Sequence, residues 1–212
     1  FLDGDPALLW HPQVAVVGSR RPSHGGRDRA RSFARRLGEA GWGVTSGLAA
    51  GIDAAAHLGA LDAGAPTVAV VGTGPDVAYP PGNAALRDRL AAEGLVASEH
   101  PPGTAPLASH FPSRNRLVAG LSLGTVVVEA ALRSGALISA RLAAEAGREV
   151  FAIPGSVDNP VARGCHRLIR EGAALVESPD EVIEALGPVA VRLADRLRRR
   201  LASAPAPPDP PC

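Results

Sequence analysis

The sequence lacks long apolar runs. No stretch approaches the roughly 18 consecutive apolar residues that span a bilayer, and the amino end has no basic segment followed by an apolar one, as a signal peptide would. We therefore expect no membrane association and a cytoplasmic protein. Methionine is absent, the chain begins at Phe1, and residues 204–211 are rich in proline, which is typical of a linker. We expect further domains to flank these 212 residues.

Cysteine is also scarce, with only Cys165 and Cys212. Two cysteines this far apart do not form the disulfide framework of a small secreted protein. Neither lies in a metal-ligand spacing, so we expect no structural zinc and no metal site.

Lysine does not occur, and all 22 basic residues are arginine. A GC-rich genome alone would favour arginine. The net charge is only +1, so overall charge does not indicate binding to a polyanion. Where arginines gather, however, their planar guanidinium groups can hold phosphate oxygens in pairs and stack on bases.

Short β-branched runs alternate with longer segments of helical period along most of the chain. In one of these segments, Ala30, Phe33 and Leu37 recur at the spacing of a buried helix face. The pattern predicts strands at 14–17, 43–45, 67–71, 95–97, 125–128 and 149–153. It predicts helices at 25–40, 52–63, 84–92, 113–121 and 136–146, and then a helix, a strand and a helix within 163–186. This alternation indicates an α/β fold, an extended Rossmann-like architecture with a mostly parallel sheet and helices on both faces.

We divide the chain into a lead-in over 1–12, a Rossmann-like core over 13–187, and a basic helix end with a Pro-rich tail over 188–212. In parallel sheets, ligands bind beyond the carboxyl ends of the strands, where backbone amides and helix N-termini point outward. The loops that follow the predicted strands are therefore the candidates for a functional site.

Gly18, Ser19 and Arg20 follow the first predicted core strand directly. A glycine allows close approach of a ligand to the backbone, Ser19 offers a hydroxyl and Arg20 adds charge, a combination that suits a phosphate. An ordinary strand-to-helix turn with surface arginines explains the same residues equally well. The Gly-x-Gly-x-x-Gly spacing of a dinucleotide site is missing, which argues against NAD.

The loop from Ser46 to Asp53 follows the second core strand and is built of small residues. Asp53 lies near a helix start, where the helix dipole favours its charge. His57 lies four residues further on, so the two side chains share a helix face and could form a hydrogen bond. We predict a structural brace; an acid–base pair is the alternative, but no nucleophile or metal ligand accompanies it.

The most distinctive segment runs from Phe111 to Arg116 and combines one aromatic ring with two arginines at a predicted helix start. Pro112 and Ser113 suit the first turn of a helix, whose free amides can face an anion. A ring that stacks a base beside cations that hold phosphates is how proteins bind single strands without sequence preference. A capped helix with solvated arginines and a core phenylalanine is the alternative.

In their order along the chain, these motifs resemble those of the DprA/Smf family. The resemblance covers about 5–186 and rests on Gly18-Ser19-Arg20, Ser46-Gly47-x-Ala49-x-Gly51-Ile52-Asp53, Phe111-Pro112-x-Arg114-Asn115-Arg116, Val127-Val128-Glu129-Ala130, Ser134-Gly135 and Val150-Phe151-Ala152-Ile153-Pro154-Gly155. It implies a protein that binds single-stranded DNA, protects incoming DNA and promotes RecA loading in natural transformation and recombination, with no catalytic residues and no cofactor.

The resemblance also implies where partners bind. The DNA-binding residues it implies are Gly18, Ser19, Arg20, Ser46, Gly47, Ala49, Phe111, Arg114, Asn115 and Arg116. It implies a homodimer whose interface includes His166, Ile169 and Leu175. Because Ala108 stands where many family members have a basic residue, we expect Arg20 and Arg114 to contribute more, and to face the same groove.

Two other functions remain open from the sequence. Thr125 and Glu129 faintly resemble residues of nucleotide-processing enzymes of the phosphoribohydrolase type, but the Pro-Gly-Gly-x-Gly-Thr loop of those enzymes is missing; we predict that Glu129 accepts hydrogen bonds from backbone amides. A small-ligand carrier of related fold is the other alternative. The loops hold no carboxylate cluster of the kind that binds a nuclease metal pair.

Overall fold

A computed structural model describes residues 1–202, in which strands and helices alternate as the sequence predicts. The strands are β1 (Leu2–Gly4), β2 (Gln13–Val17), β3 (Gly43–Ser46), β4 (Thr67–Val71), β5 (Leu95–Ser98), β6 (Gly124–Val127), β7 (Glu149–Ala152) and β8 (Ala174–Leu175). The helices are α1 (His24–Glu39), α2 (Ile52–Asp62), α3 (Ala84–Glu93), α4 (His110–Leu121), α5 (Ala136–Glu145), α6 (Arg163–Arg170) and α7 (Pro179–Ala202). Short 3-10 helices cover Pro6–Trp10 and Pro81–Asn83. The Pro-rich segment 204–211 and Cys212 lie outside the described residues.

The eight strands form one sheet in the order β1-β5-β4-β3-β2-β6-β7-β8. All neighbouring strands are parallel except β1 and β5, which are antiparallel. The predicted α/β class with a mostly parallel sheet is therefore confirmed. Strands β3, β4 and β5 follow one another on one side of β2. The chain then returns to the other side of β2, where β6, β7 and β8 follow one another. In such sheets, the crevice between the two strands where the order reverses is where ligands bind; here those strands are β2 and β6.

Strands β2 and β4 are fully buried because both faces of the sheet are covered there. In β2, Val14 and Val16 pack against α1, α2 and α7 on one face. Ala15 and Val17 point to the other face, where α4, α5 and α6 contribute the facing side chains. After their first residues, β2 and β4 are therefore continuous apolar runs, whereas α1 carries the periodic pattern.

Three elements differ from the prediction. The lead-in contributes β1, in which Leu2 lies opposite Ala97 of β5; three residues are too short for a readable period. Helix α4 begins at His110 rather than at 113, which puts Phe111 in its first turn. Helix α7 continues through Pro188 to Ala202, so the helix predicted to end near 186 and the predicted basic helix end form one element. Within residues 1–202, no helix has the length and apolar character needed to cross a membrane.

Candidate functional site

A cleft of about 540 Å³ opens at the carboxyl edge of the sheet, above β2 and β6. Its walls come from the loops after β2, β3 and β6 and from the first turns of α4 and α5. The structure brings most of the predicted binding residues together here: Gly18, Ser19, Arg20, Gly47, Ala49, Phe111, Arg114 and Asn115. The cleft thus lies where the strand order reverses, which is the position that the fold class predicts for a ligand.

Two predicted residues do not line this cleft. The Ser46 side chain is buried, and its hydroxyl donates a hydrogen bond of 2.7 Å to the carbonyl oxygen of Val16, which ties β3 to β2. Arg116 is exposed on α4 and forms an ion pair with Glu99. The binding roles that the sequence predicts for Ser46 and Arg116 stay predictions.

Positive charge dominates the lining of the cleft. Arginines 20, 21, 114 and 133 line it, against a single acidic residue, Asp53. The N-termini of α4 and α5 add partial positive charge, because the first amides of a helix have no partner within the helix. Sequence reasoning did not assign Arg133, Ser134 and Ser139 to the site. Their position could have indicated them, because they lie in and after the loop that follows β6, one of the two strands between which the strand order reverses.

Arg114 is buried in the wall of the cleft rather than solvated, with only 6% of its surface exposed. Its Nη1 donates a hydrogen bond to the carbonyl oxygen of Val70 in β4. Its Nε is buried and has no hydrogen-bond partner among the described residues. Burial lowers the pKa of Arg114 to about 10, although the charge of Asp53 acts in the opposite direction. A buried donor without a partner is rare in native structures.

Asp53 organises the loop after β3. Its Oδ2 accepts hydrogen bonds from the backbone N–H groups of Gly47 (3.2 Å) and Ala49 (3.3 Å). Between them, Leu48 has φ of 55°, a left-handed conformation that costs a branched residue of order 1–3 kcal/mol. The fully buried Leu48 side chain offsets that strain by packing into the core. Burial raises the pKa of Asp53, against the charge of Arg114 and the two amides.

The predicted hydrogen bond between Asp53 and His57 is wrong. The Thr67 hydroxyl donates to the carbonyl oxygen of Val44 (3.0 Å), so its oxygen accepts from Nδ1–H of His57 (2.8 Å). The other ring nitrogen, Nε2, is buried without a partner among the described residues. Burial, with a smaller contribution from the Arg114 charge, lowers the pKa of His57 to about 3. The imidazole is therefore neutral and braces α2 against the sheet.

At the mouth of the cleft, the Arg20 guanidinium lies over the Phe111 ring, with its central carbon 5.8 Å from the ring centroid. Phe111 is half-buried, so it is not the core residue of the alternative interpretation. The Tyr79 ring lies against the Phe111 ring, with the two ring centroids 5.1 Å apart. A cation and a partly exposed aromatic ring thus meet at the entrance.

Hydrogen bonds of Ser19 hold the loop after β2 in place. The Ser19 N–H donates to the carbonyl oxygen of Glu129 (2.6 Å), and its carbonyl oxygen accepts from the N–H of Ile52 (3.2 Å). The Ser19 hydroxyl oxygen accepts from the N–H of Arg21 (3.0 Å). These bonds connect the loop to the strand-end segments on both sides and present Arg20 at the cleft.

The Glu129 carboxylate turns away from the cleft. It accepts hydrogen bonds from the Ser23 backbone N–H (2.8 Å), the Ser23 hydroxyl (2.6 Å) and the Asn159 side-chain amide (3.4 Å). It lines a separate recess of about 180 Å³ at the start of α1. The prediction of a structural acceptor is confirmed, with one backbone amide and two side-chain donors.

The three predicted dimer residues lie elsewhere. His166 on α6 has its Nε2 3.0 Å from the carbonyl oxygen of Gly155. Ile169 is half-buried against the core, and Leu175 is 48% exposed on the edge strand β8. No group of three or more His, Cys, Asp or Glu side chains within residues 1–202 could hold a metal ion.

Comparison with known proteins identifies relatives over most of the chain. Residues 1–187 match the family described as DNA recombination-mediator protein A. The chain is 50% identical over 183 residues to DNA processing protein DprA of Streptococcus pneumoniae, covering 86% of this chain and 64% of the relative. It therefore spans less than two thirds of the length of that relative.

Solved structures agree with the sequence comparison. The X-ray structure of S. pneumoniae DprA superposes with a TM-score of 0.84 and 49% identity, covering 87% of this chain and 65% of the other. A structure of DNA processing protein A from Helicobacter pylori, described for its single-stranded DNA binding mode, gives a TM-score of 0.80 at 32% identity, covering 87% and 85%. The family match and the similarity of these structures lead to one assignment: the chain belongs to the DNA recombination-mediator protein A family, that of the DprA and Smf proteins.

Proposed function

We propose that this chain binds single-stranded DNA in the cleft and does no chemistry on it. The observation that carries the proposal is the Arg20 guanidinium lying over the half-buried Phe111 ring at the mouth of an arginine-lined cleft. The H. pylori relative, described as binding single-stranded DNA, supports the same ligand for this chain. The ring would stack a base while the guanidinium groups hold phosphates.

The roles within the cleft follow from the positions of the side chains. Arg20 is exposed and can reach a phosphate in solvent, whereas Arg114 is buried and hydrogen-bonded to Val70 and offers a preorganised donor. Ser19 and Ala49 line the cleft with small side chains, and Asn115 adds a side-chain amide. Gly18 and Gly47 leave room within the wall for Ile52 and Arg114. Stacking accepts every base, so we expect little sequence preference.

The non-enzymatic part of this proposal rests on Glu129. In a phosphoribohydrolase-type site, a glutamate at this position would have to face the ligand. Here its carboxylate is engaged by Ser23 and Asn159 in a recess outside the cleft. No contact of the described residues favours that enzyme or a small-ligand carrier over a DNA-binding protein.

Two partners complete the proposal. We infer a homodimer formed through the edge near His166, Ile169 and Leu175, because β8 is an edge strand, which presents backbone groups for pairing, and its Leu175 side chain is exposed. We also infer that the DNA-bound protein promotes loading of RecA and protects incoming DNA in natural transformation and recombination. A shift of a Leu175→Arg variant to monomer in sedimentation experiments, with the fold intact, supports the interface; an unchanged oligomeric state contradicts it.

The test is fluorescence anisotropy of a labelled oligo(dT) against a matched duplex at low and moderate salt. We expect the single strand to bind more tightly, and affinity to fall with salt with a slope of roughly −0.7 for each phosphate neutralised. An Arg89→Ala variant is the control, because Arg89 is exposed on α3, paired with Glu93 and outside the cleft. No binding at low salt, or release of a base from a nucleoside monophosphate, contradicts the proposal.

A further inference from the structure

Aromatic side chains are rare in this protein, yet two of them meet beside the cleft. The sequence has four Phe, two Trp and one Tyr. Phe33, Trp42 and Phe151 are buried in the core. Tyr79 is 38% exposed and its ring lies against Phe111, with a centroid distance of 5.1 Å and a tilt of 31°. The single tyrosine therefore extends the ring surface of the cleft outward.

Two histidines lie close to this ring pair, since Gly72 is near both Phe111 and His110. His110 precedes Phe111 in the first turn of α4, and its ring stacks on that of His100, with centroids 3.8 Å apart and planes 14° from parallel. Both histidines are partly exposed. We call the four side chains Tyr79, Phe111, His110 and His100 the ring strip.

The backbone after β4 and β5 holds the ring strip in place. A Cβ at Gly72 would lie 3.1 Å from Cδ1 of Phe111, so the ring rests directly on this glycine. His110 Nδ1 lies 3.0 Å from the carbonyl oxygen of Gly72. The Ser98 hydroxyl accepts from the N–H of His100 (2.9 Å), which fixes the start of the loop that carries the second histidine.

Acidic side chains near the ring strip are already engaged. Asp76 accepts a hydrogen bond from the N–H of Gly103 (2.8 Å), and Glu99 is paired with Arg116. The surface therefore offers aromatic rings, with Arg20 lying over the one of Phe111. It suits bases rather than phosphates, because every nucleobase has a face that stacks on an aromatic ring.

We propose that the ring strip is a second stacking platform, which binds further nucleobases of a single strand that leaves the cleft over Phe111. This inference rests on the proposed function and extends it: the cleft binds the first nucleotides, and Tyr79 and His100 lengthen the site across the ends of β4 and β5. It assigns a ligand-binding role to Tyr79 and to the histidine pair, which the cleft itself does not include.

The test compares Tyr79→Leu and His100→Ala with the unchanged protein on two ligands, a tetranucleotide and a fifteen-nucleotide oligo(dT), which lie near the two ends of the usual range of site sizes, about 4–16 nucleotides. We expect about tenfold weaker binding of the long oligonucleotide and less than about twofold change for the tetranucleotide. Quenching of a 2-aminopurine placed outside the cleft-bound segment should be lost in Tyr79→Leu and retained in Tyr79→Phe, which keeps the ring. Trp10→Leu is the matched control, because Trp10 is an exposed ring that lies outside both the cleft and the ring strip.

The possible results distinguish a failure of the ring strip from a failure of the proposed function. Unchanged affinity of both variants for the long oligonucleotide overturns the inference, and so does an equal loss on both ligands, because that result indicates damage to the cleft or the fold. If the unchanged protein binds the tetranucleotide but gains nothing from added length, the ring strip fails while the proposed function stands. If the unchanged protein binds neither ligand, the proposed function fails and the inference fails with it.

Discussion

Gly47 leaves the space that the Arg114 guanidinium fills. A Cβ atom at Gly47 would lie 2.2 Å from Nη1 of Arg114, well inside any real contact distance. On its other side the same Nη1 is bound to the carbonyl oxygen of Val70. The guanidinium is therefore clamped between the loop after β3 and the end of β4, and its position depends on a residue that has no side chain.

Replacing Gly47 with alanine should therefore affect binding more than folding. The added methyl group must push the end of the Arg114 side chain out of place, and we expect single-stranded DNA to bind about tenfold more weakly, or ~1.4 kcal/mol. Gly120→Ala is the control, since a Cβ there meets nothing within 4 Å and Gly120 lies inside α4. It should leave affinity unchanged and raise the free energy of unfolding by about 0.5–1 kcal/mol. Equal affinities of the two variants in anisotropy titrations contradict the assignment of Arg114.

Alanine variants of three arginines distinguish DNA binding in the cleft from DNA binding outside it. Arg20→Ala and Arg114→Ala should each weaken binding of a short oligo(dT) about tenfold and reduce the salt slope by roughly 0.7. Arg116→Ala should change affinity for the same short ligand less than about twofold, because Arg116 does not line the cleft; this variant tests the binding role that the sequence predicts for it. Titrations at several salt concentrations give both quantities. An Arg116 effect as large as that of Arg20 would extend the site beyond the cleft.

Stability measurements must accompany the arginine variants. Removing Arg114 leaves the buried Asp53 without its neighbouring cation and the Val70 carbonyl without its donor, so we expect a loss of roughly 1–3 kcal/mol in the free energy of unfolding. Arg20 is exposed, and its variant should unfold at the same denaturant concentration as the original protein. Arg20→Ala is therefore the cleaner test of binding.

The sequence predicted the sheet well because burial on both faces leaves a clear pattern. The fully buried runs β2 and β4 and the periodic helix α1 were all predicted from residue type and spacing. Strand β1 was not, because its three residues have mixed exposure and its pairing with β5 is a long-range contact. Local patterns cannot report a partner that is distant along the chain.

The loops that form the site were predicted from the sequence, but the contacts within the site were not. The carboxyl ends of parallel strands meet at one edge, so the residues after β2 and β3 could be grouped from the sequence alone. The burial of Arg114 could not, since it depends on space left by Gly47 and on a carbonyl group of β4. The Asp53–His57 pair failed for the same reason: the helical spacing was right, but backbone amides and Thr67 are better placed partners.

Cys165 should be unreactive in the folded protein. Its thiol is fully buried beside the Val127 carbonyl oxygen, and burial raises its pKa to about 11, so the thiolate is rare at mildly alkaline pH. In a Cys212→Ser background, where Cys165 is the sole thiol, we expect Ellman's reagent to react only as fast as the protein unfolds. Concentrated guanidinium chloride should make the reaction immediate. Rapid labelling of the folded protein would contradict the burial of this side chain.

His57 should make the fold sensitive to acid. Its pKa is about 3 in the folded protein and about 6.5 in an unfolded chain, so between these values the unfolded chain binds more protons. The free energy of unfolding therefore falls as pH drops through this window. Between about pH 6.5 and about pH 4.5 we expect His57 to account for a loss of roughly 2–3 kcal/mol. Urea unfolding at both pH values measures it.

A His57→Gln variant isolates this contribution, because glutamine can still donate a hydrogen bond to Thr67 but does not titrate. Asp53 acts in the opposite direction: burial raises its pKa, so its folded form takes up a proton more readily and its contribution to stability is lost as pH rises. Asp53 is present in both proteins, so the difference between them reports His57. The variant should lose less stability than the original protein on acidification. Parallel losses in the two proteins would mean that the imidazole can take up a proton in the fold, and that Nε2 finds an acceptor or water.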